Sequence, residues 1–188
     1  MTLWDVEVGR LADDLLELPP EPLRVLGLRV FEATLDVFGR PLEDLFVEET
    51  VAFYRRALEE FRSVQNVADF TPARREPFLE GYDWEDGKAP FAAASLSQGV
   101  AQYAGFLVGR DAEELVEALS SFYESVLSFA ALGRVVSVED EHENDLCRRA
   151  VDEQLAWISE VRGGRVTTGA RRGRTSSSRR STQACSHV

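Results

Sequence analysis

Histidine and cysteine are scarce in this chain, with two of each among 188 residues. His187 and Cys185 stand in the last four positions, so any triad of the Ser-His-Asp or Cys-His type would have to use His142. That residue sits among acids, far from any G-x-S-x-G pattern, and offers no recognisable nucleophile partner. Neither cysteine belongs to a C-x-x-C pair, and two do not make a disulfide framework, which predicts a reducing compartment. No apolar run approaches the roughly 18 residues needed to cross a bilayer. The opening Met1-Thr2-Leu3-Trp4-Asp5-Val6-Glu7 carries acids where a secretion signal carries basic residues. A cytoplasmic protein with no membrane partner is the expectation. Phosphate-cradling glycine motifs are missing too, since Gly163-Gly164-Arg165 follows no strand-to-helix pattern.

Acids are absent after Glu160, and this absence exposes a charge asymmetry. The 33 acidic residues all lie at or before that position, while seven of the 21 basic residues follow it, leaving 14 cations against 33 anions up to Glu160. A body of that charge repels nucleic acid and anionic membranes and attracts cationic partners. Keeping a solvated surface soluble would explain the same charge without any partner. Two regions are expected: an acidic domain over 1–162 and a basic tail over 163–188. The tail is Arg, Gly, Ser and Thr with almost no large aliphatic residue. It cannot bury enough surface to offset its ordering entropy, so it is expected to be disordered. Arg171-Arg172-Gly173-Arg174 and Arg179-Arg180 would suit contact with nucleic acid. No aromatic is interleaved among them, however, and the segment reads like an out-of-frame translation of a GC-rich gene.

Apolar residues in the body recur with helical spacing, predicting an all-α bundle of about six helices. Trp4, Val8, Leu11, Leu15 and Leu18 form one stripe, ended by Pro19-Pro20-Glu21-Pro22. A second helix places Leu23, Leu26, Val30, Phe31, Leu35 and Phe38 inward and stops at Gly39, and a third runs from Leu42 to Arg62. Between Ser63 and Pro90 the periodicity lapses around Pro72 and Pro77, which predicts one long loop with at most a short helical turn near 73–79. Phe91 to Val108 is rich in small residues and reads as the central helix. After Gly109-Arg110, Asp111 and Glu114 resemble an acidic capping box opening a fifth helix, which Gly133 should end. The last helix is expected over Val138 to Arg162.

Few motifs carry chemistry. Glu139-x-x-His142 matches half of the helical di-iron pattern, but the second copy is missing, and an acid-rich first turn suits the helix dipole by itself. Cys147 and His142 lack the further ligands of a closed zinc site. The segment Tyr82-Asp83-Trp84-Glu85-Asp86-Gly87-Lys88 lacks the alternating acid spacing of an EF-hand calcium loop. No metal or other cofactor is therefore expected. As a binding surface the segment is more apt: Tyr82 and Trp84 supply contact area, and Asp83, Glu85 and Asp86 favour encounter with a basic protein. Its aromatics could instead simply cover the core.

Three stretches resemble a superfamily of small all-helical bacterial proteins that includes immunity proteins of polymorphic toxin systems and uncharacterised relatives. They are Leu18-Pro19-Pro20-Glu21-Pro22-Leu23-Arg24 with the helix to Phe38, the hairpin from Ala89 to Val126, and Asp145-Leu146-Cys147-Arg148-Arg149-Ala150-Val151-Asp152-Glu153-Gln154-Leu155. The resemblance implies an all-helical fold and neutralisation of a cognate toxin by binding, with no individual functional residue carried over. The leading expectation is thus a non-enzymatic acidic protein that binds a basic partner through Tyr82 to Asp86, the resemblance implying a cognate toxin as that partner. Two alternatives stand beside it. One is a metal-dependent bundle enzyme using His142 with Glu139 or Glu143; the other is an oligomeric regulatory protein whose tail contacts nucleic acid.

Overall fold

A computed structural model describes residues 1–80, 86–131, 134 and 136–164, and among these residues there are helices and turns but no strand. The segments Tyr82 to Glu85 and the basic tail from residue 165 lie outside the described residues, as does Gly133.

The all-α expectation holds, but the helices are more numerous than the expected six or so, because several stripes are broken by local polar contacts. The first stripe divides into α1 (Leu3–Glu7), a 3-10 turn over Gly9–Leu11 and α2 (Ala12–Leu16). Thr2 caps α1 in a reciprocal box with Asp5. Pro20 then opens α3 (Pro20–Val37) at its first turn, where the missing N–H costs nothing. The third stripe splits into α4 (Leu42–Leu45) and α5 (Glu48–Ser63), with Phe46 and Val47 extended between them. The expected long loop is largely structured as well: a 3-10 turn covers Val67–Asp69, and α6 spans Pro72–Glu80 with Pro77 inside it. Burial explains α6, since Phe78 inserts its ring against Phe53 and Phe61, at 6.1 and 5.2 Å between centroids. Packing of this kind outweighs a weak local propensity.

The centre of the molecule is the hairpin of α7 (Pro90–Gly109) and α8 (Ala112–Ala131). Arg110 adopts the left-handed conformation that closes α7, and Asp111 Oδ1 accepts from the Glu113 N–H at 3.0 Å to start α8. The reciprocal half of the expected capping box does not form: Glu114 Oε2 is turned toward Gly105 and has no hydrogen-bond partner. Small residues on α7 do what their size permits. A Cβ at Gly99 would lie 2.5 Å from the Phe122 ring, so this ring occupies the space that a side chain would fill. On α3, Gly27 receives Tyr103 in the same way, and the Tyr103 hydroxyl donates to the Arg24 carbonyl. Phe122 continues into α3 by stacking on Phe31, 5.3 Å between centroids.

The predicted last helix is two: α9 (Val138–Glu143) and α10 (Asp145–Arg162). Ser137 caps α9 with Asp140, and Asn144 leaves helical geometry to cap α10, accepting from the Leu146 and Cys147 N–H groups. Gln154 on α10 is buried and joins α10 to α1 and α8, accepting from Trp4 Nε1 at 2.9 Å and donating to the Leu119 carbonyl at 3.0 Å. No helix among the described residues is long and apolar enough to cross a membrane.

Candidate functional site

Of the five residues singled out for partner binding, Tyr82, Asp83, Trp84 and Glu85 lie outside the described residues, and Asp86 is described. Asp86 is not an exposed acid on the rim of a surface. Only 1% of it is accessible, and its carboxylate gathers three backbone donors: Val47 N–H on Oδ2 at 2.8 Å, and Lys88 and Ala89 N–H on Oδ1 at 2.7 and 2.8 Å. The Lys88 and Ala89 bonds make Asp86 the brace of the turn just before α7, and the Val47 bond ties it across to the break between α4 and α5. Burial pushes the Asp86 carboxyl upward, but the three N–H groups outweigh it and hold the group below the ordinary 3.8. The Lys88 ammonium completes the fastening, donating to the Glu43 carbonyl at 2.7 Å and the Phe46 carbonyl at 3.0 Å.

The chain immediately after residues 81–85 is thereby fixed onto 43–47. That neighbour segment is acidic: Glu43, Asp44, Glu48 and Glu49 are all exposed. Cations stand there as well: Lys88, still charged on its two carbonyls, Arg55, ion-paired with Glu43, and the exposed Arg40 and Arg56. Three residues beyond Lys88, Phe91 exposes 70% of its surface on the first turn of α7. At the other flank of 81–85, Leu79 on α6 is also exposed.

The acid cluster around His142 resolves differently. Glu139, Asp140, His142 and Glu143 are exposed, and among the described residues no three His, Cys, Asp or Glu side chains stand together as a metal site. Glu141 alone turns inward and is 3% accessible. Its Oε2 accepts from the Leu3 N–H at 2.7 Å and from the Tyr123 hydroxyl, so α1, α8 and α9 meet on one carboxylate. Sequence reasoning treated Glu141 as one more acid of a helix start. The available signal was its position three residues after Val138, on the inward face. Beside it Cys147 is buried, and burial pushes its thiol above the usual 9.0, which keeps it protonated and unreactive at neutral pH. Burial first, and the bond to Glu141 second, hold the Tyr123 phenol far above its ordinary 10.0. A cavity of about 280 Å³ adjoins this group, lined in part by Arg134, Asp140, Glu141, Asn144 and Cys147.

Among the described residues, neither place brings a nucleophile together with a base, or a base with an oxyanion donor set. The stretch 86–91 and the start of α5 present charge and the exposed ring of Phe91; the Glu141 group ties elements together. Comparison with family models, curated proteins and solved structures gives no match for this chain.

Proposed function

We propose that this protein is a non-enzymatic acidic binding protein that engages a basic protein partner through the segment Tyr82 to Glu85 and the acids beside it. The observation that carries this reading is the double fastening of Asp86 and Lys88, the residues that follow the aromatic and acidic segment, onto the backbone of Glu43, Phe46 and Val47. Binding energy concentrates in aromatic anchors on supported backbone, while surrounding charge speeds encounter and rejects like-charged competitors. Asp86 enters as the support of the segment and not as a contact. The resemblance to immunity proteins supplies the narrower form: the basic partner is a cognate toxin, neutralised in the cytoplasm by being covered.

Retention of partners on the immobilised full chain tests this. Lysate from the source organism is applied at low salt and eluted in salt steps, in parallel on wild type and Trp84→Ala. A basic protein that wild type holds, that salt releases and that Trp84→Ala fails to hold is the expected result. Equal retention by both columns removes the segment from the account.

A further inference from the structure

We infer that the cavity where α8, α9 and α10 meet binds a short aliphatic ammonium compound, with the Glu141 carboxylate taking the ammonium and an apolar wall taking the chain. The site lies on elements other than those that carry residues 86–91, so this inference goes beyond the docking of a protein partner and fails or stands independently of it.

Glu141 is 3% accessible and lines the cavity, yet the fold uses only half of its carboxylate. Oε2 accepts from the Leu3 N–H at 2.7 Å and from the Tyr123 hydroxyl, and Oε1 has no donor. Among the described residues, the side-chain polar atoms sealed in the interior without a partner are Thr50 Oγ1, Arg75 Nε and Glu114 Oε2. Glu141 Oε1 is not one of them, so it opens on the cavity. A carboxylate oxygen withdrawn from bulk water and lacking a donor is costly, and a charged donor in the cavity satisfies it best.

The lining fixes the class of occupant. Leu127, Ala130 and Ala131 at the end of α8, with Val136, give the cavity an apolar side, and its volume of about 280 Å³ is at the small end for ligand pockets. Of the charged side chains that line it, Arg134 stands against Asp140, which leaves Glu141 and Glu143 in excess. Cys147 is held protonated and adds no charge. On α10, Arg148 is paired with Asp145, and Arg149, two residues after Cys147, points to another face of the helix. Anions are therefore repelled. A divalent metal finds no three ligands together among the described residues. A short amine suits both sides: its ammonium brings three donors and a positive charge to Oε1, and its chain covers the apolar wall.

Titrating n-butylamine, n-butanol and butyrate into the full chain at neutral pH, followed by the amide NMR shifts of Glu141, Asn144 and Cys147, tests the site. The amine should saturate with a Kd of about 1 to 10 mM, as suits a ligand of so few atoms. The alcohol and the anion should bind at least about tenfold more weakly. Glu141→Gln keeps an acceptor for Leu3 and Tyr123 and replaces the free oxygen by an NH₂ donor, so it should weaken the amine by at least about tenfold. Ala130→Leu fills the apolar side, leaves the carboxylate in place and should weaken the amine as much. Should Glu141→Gln melt many degrees below wild type, Ala130→Leu decides alone. Equal binding of amine and butyrate or butanol overturns the inference, as does amine binding that survives Ala130→Leu. Absence of any saturable shift overturns it too, and leaves the reading of residues 82–85 untouched.

Discussion

Replacing Asp86 with alanine should destabilise the fold more than the loss of any exposed acid. The carboxylate satisfies the N–H groups of Val47, Lys88 and Ala89, at 2.7 to 2.8 Å, in a position 1% accessible. A hydrogen bond to a charged acceptor contributes about 1.5 to 3 kcal/mol, and water entering the vacated space would recover part of the loss. A net cost of about 3 to 5 kcal/mol follows, which for a domain of this size lowers Tm by roughly 6 to 20 °C. Asp86→Asn separates the contributions. Its carbonyl oxygen can still accept from Lys88 and Ala89, while its NH₂ would face the Val47 N–H, donor against donor, so Asn should be less harmful than Ala. The pH dependence has a definite sign. A carboxyl held below its ordinary 3.8 stabilises the fold above that value, and the contribution is lost as pH falls through the lower folded value. The gap between wild type and Asp86→Asn should therefore be complete at pH 6 and shrink below about pH 4. Thermal unfolding followed by circular dichroism at both pH values measures it, with hydrogen exchange at Val47 locating the change. If Asp86→Ala melts within about 2 °C of wild type, Asp86 is no structural anchor, and the support argued for the binding segment disappears.

Three further outcomes probe the packing. Gly27→Ala places a Cβ 2.2 Å from the Tyr103 ring, so it should cost about 1 to 3 kcal/mol in urea unfolding despite the better helix propensity of alanine; stabilisation would contradict the described α3–α7 approach. Glu141→Ala leaves the Leu3 N–H and the Tyr123 hydroxyl without their acceptor, at about 1 to 3 kcal/mol each. Exchange at Leu3 should rise in that variant, and unchanged protection there would refute the role given to the carboxylate. In a Cys185→Ser background, Cys147 should react with a disulfide reagent at pH 8 only after unfolding, because the native thiol is buried and held protonated; rapid native reaction would show it accessible.

The stripes of apolar residues made most of the architecture legible. Leu23, Leu26, Val30 and Phe31 are buried as their spacing implies, and the small residues of α7 admit Phe122 and neighbouring α8 closely. The breaks were not legible, because they answer to partners distant in sequence. Val47 leaves helical geometry where its N–H meets Asp86, 39 residues away. The α6 helix forms around two prolines because Phe78 finds Phe53 and Phe61, which no local window contains. At the candidate site, composition pointed to the aromatic and acidic segment, but Asp86 read as one more surface acid. Its function as a brace depends on Val47, which spacing alone does not bring near. Phe91 passed as the first residue of an apolar helix, since periodicity cannot tell that one member of a stripe faces outward. Glu141 was likewise hidden among four exposed neighbours.

The most direct test of the central claim is the affinity of the full chain for the basic protein it retains, measured by calorimetry for wild type and for Trp84→Ala at two salt concentrations. The account predicts that higher salt weakens binding and that Trp84→Ala weakens it by at least about tenfold. Affinity indifferent to both salt and Trp84 would contradict it.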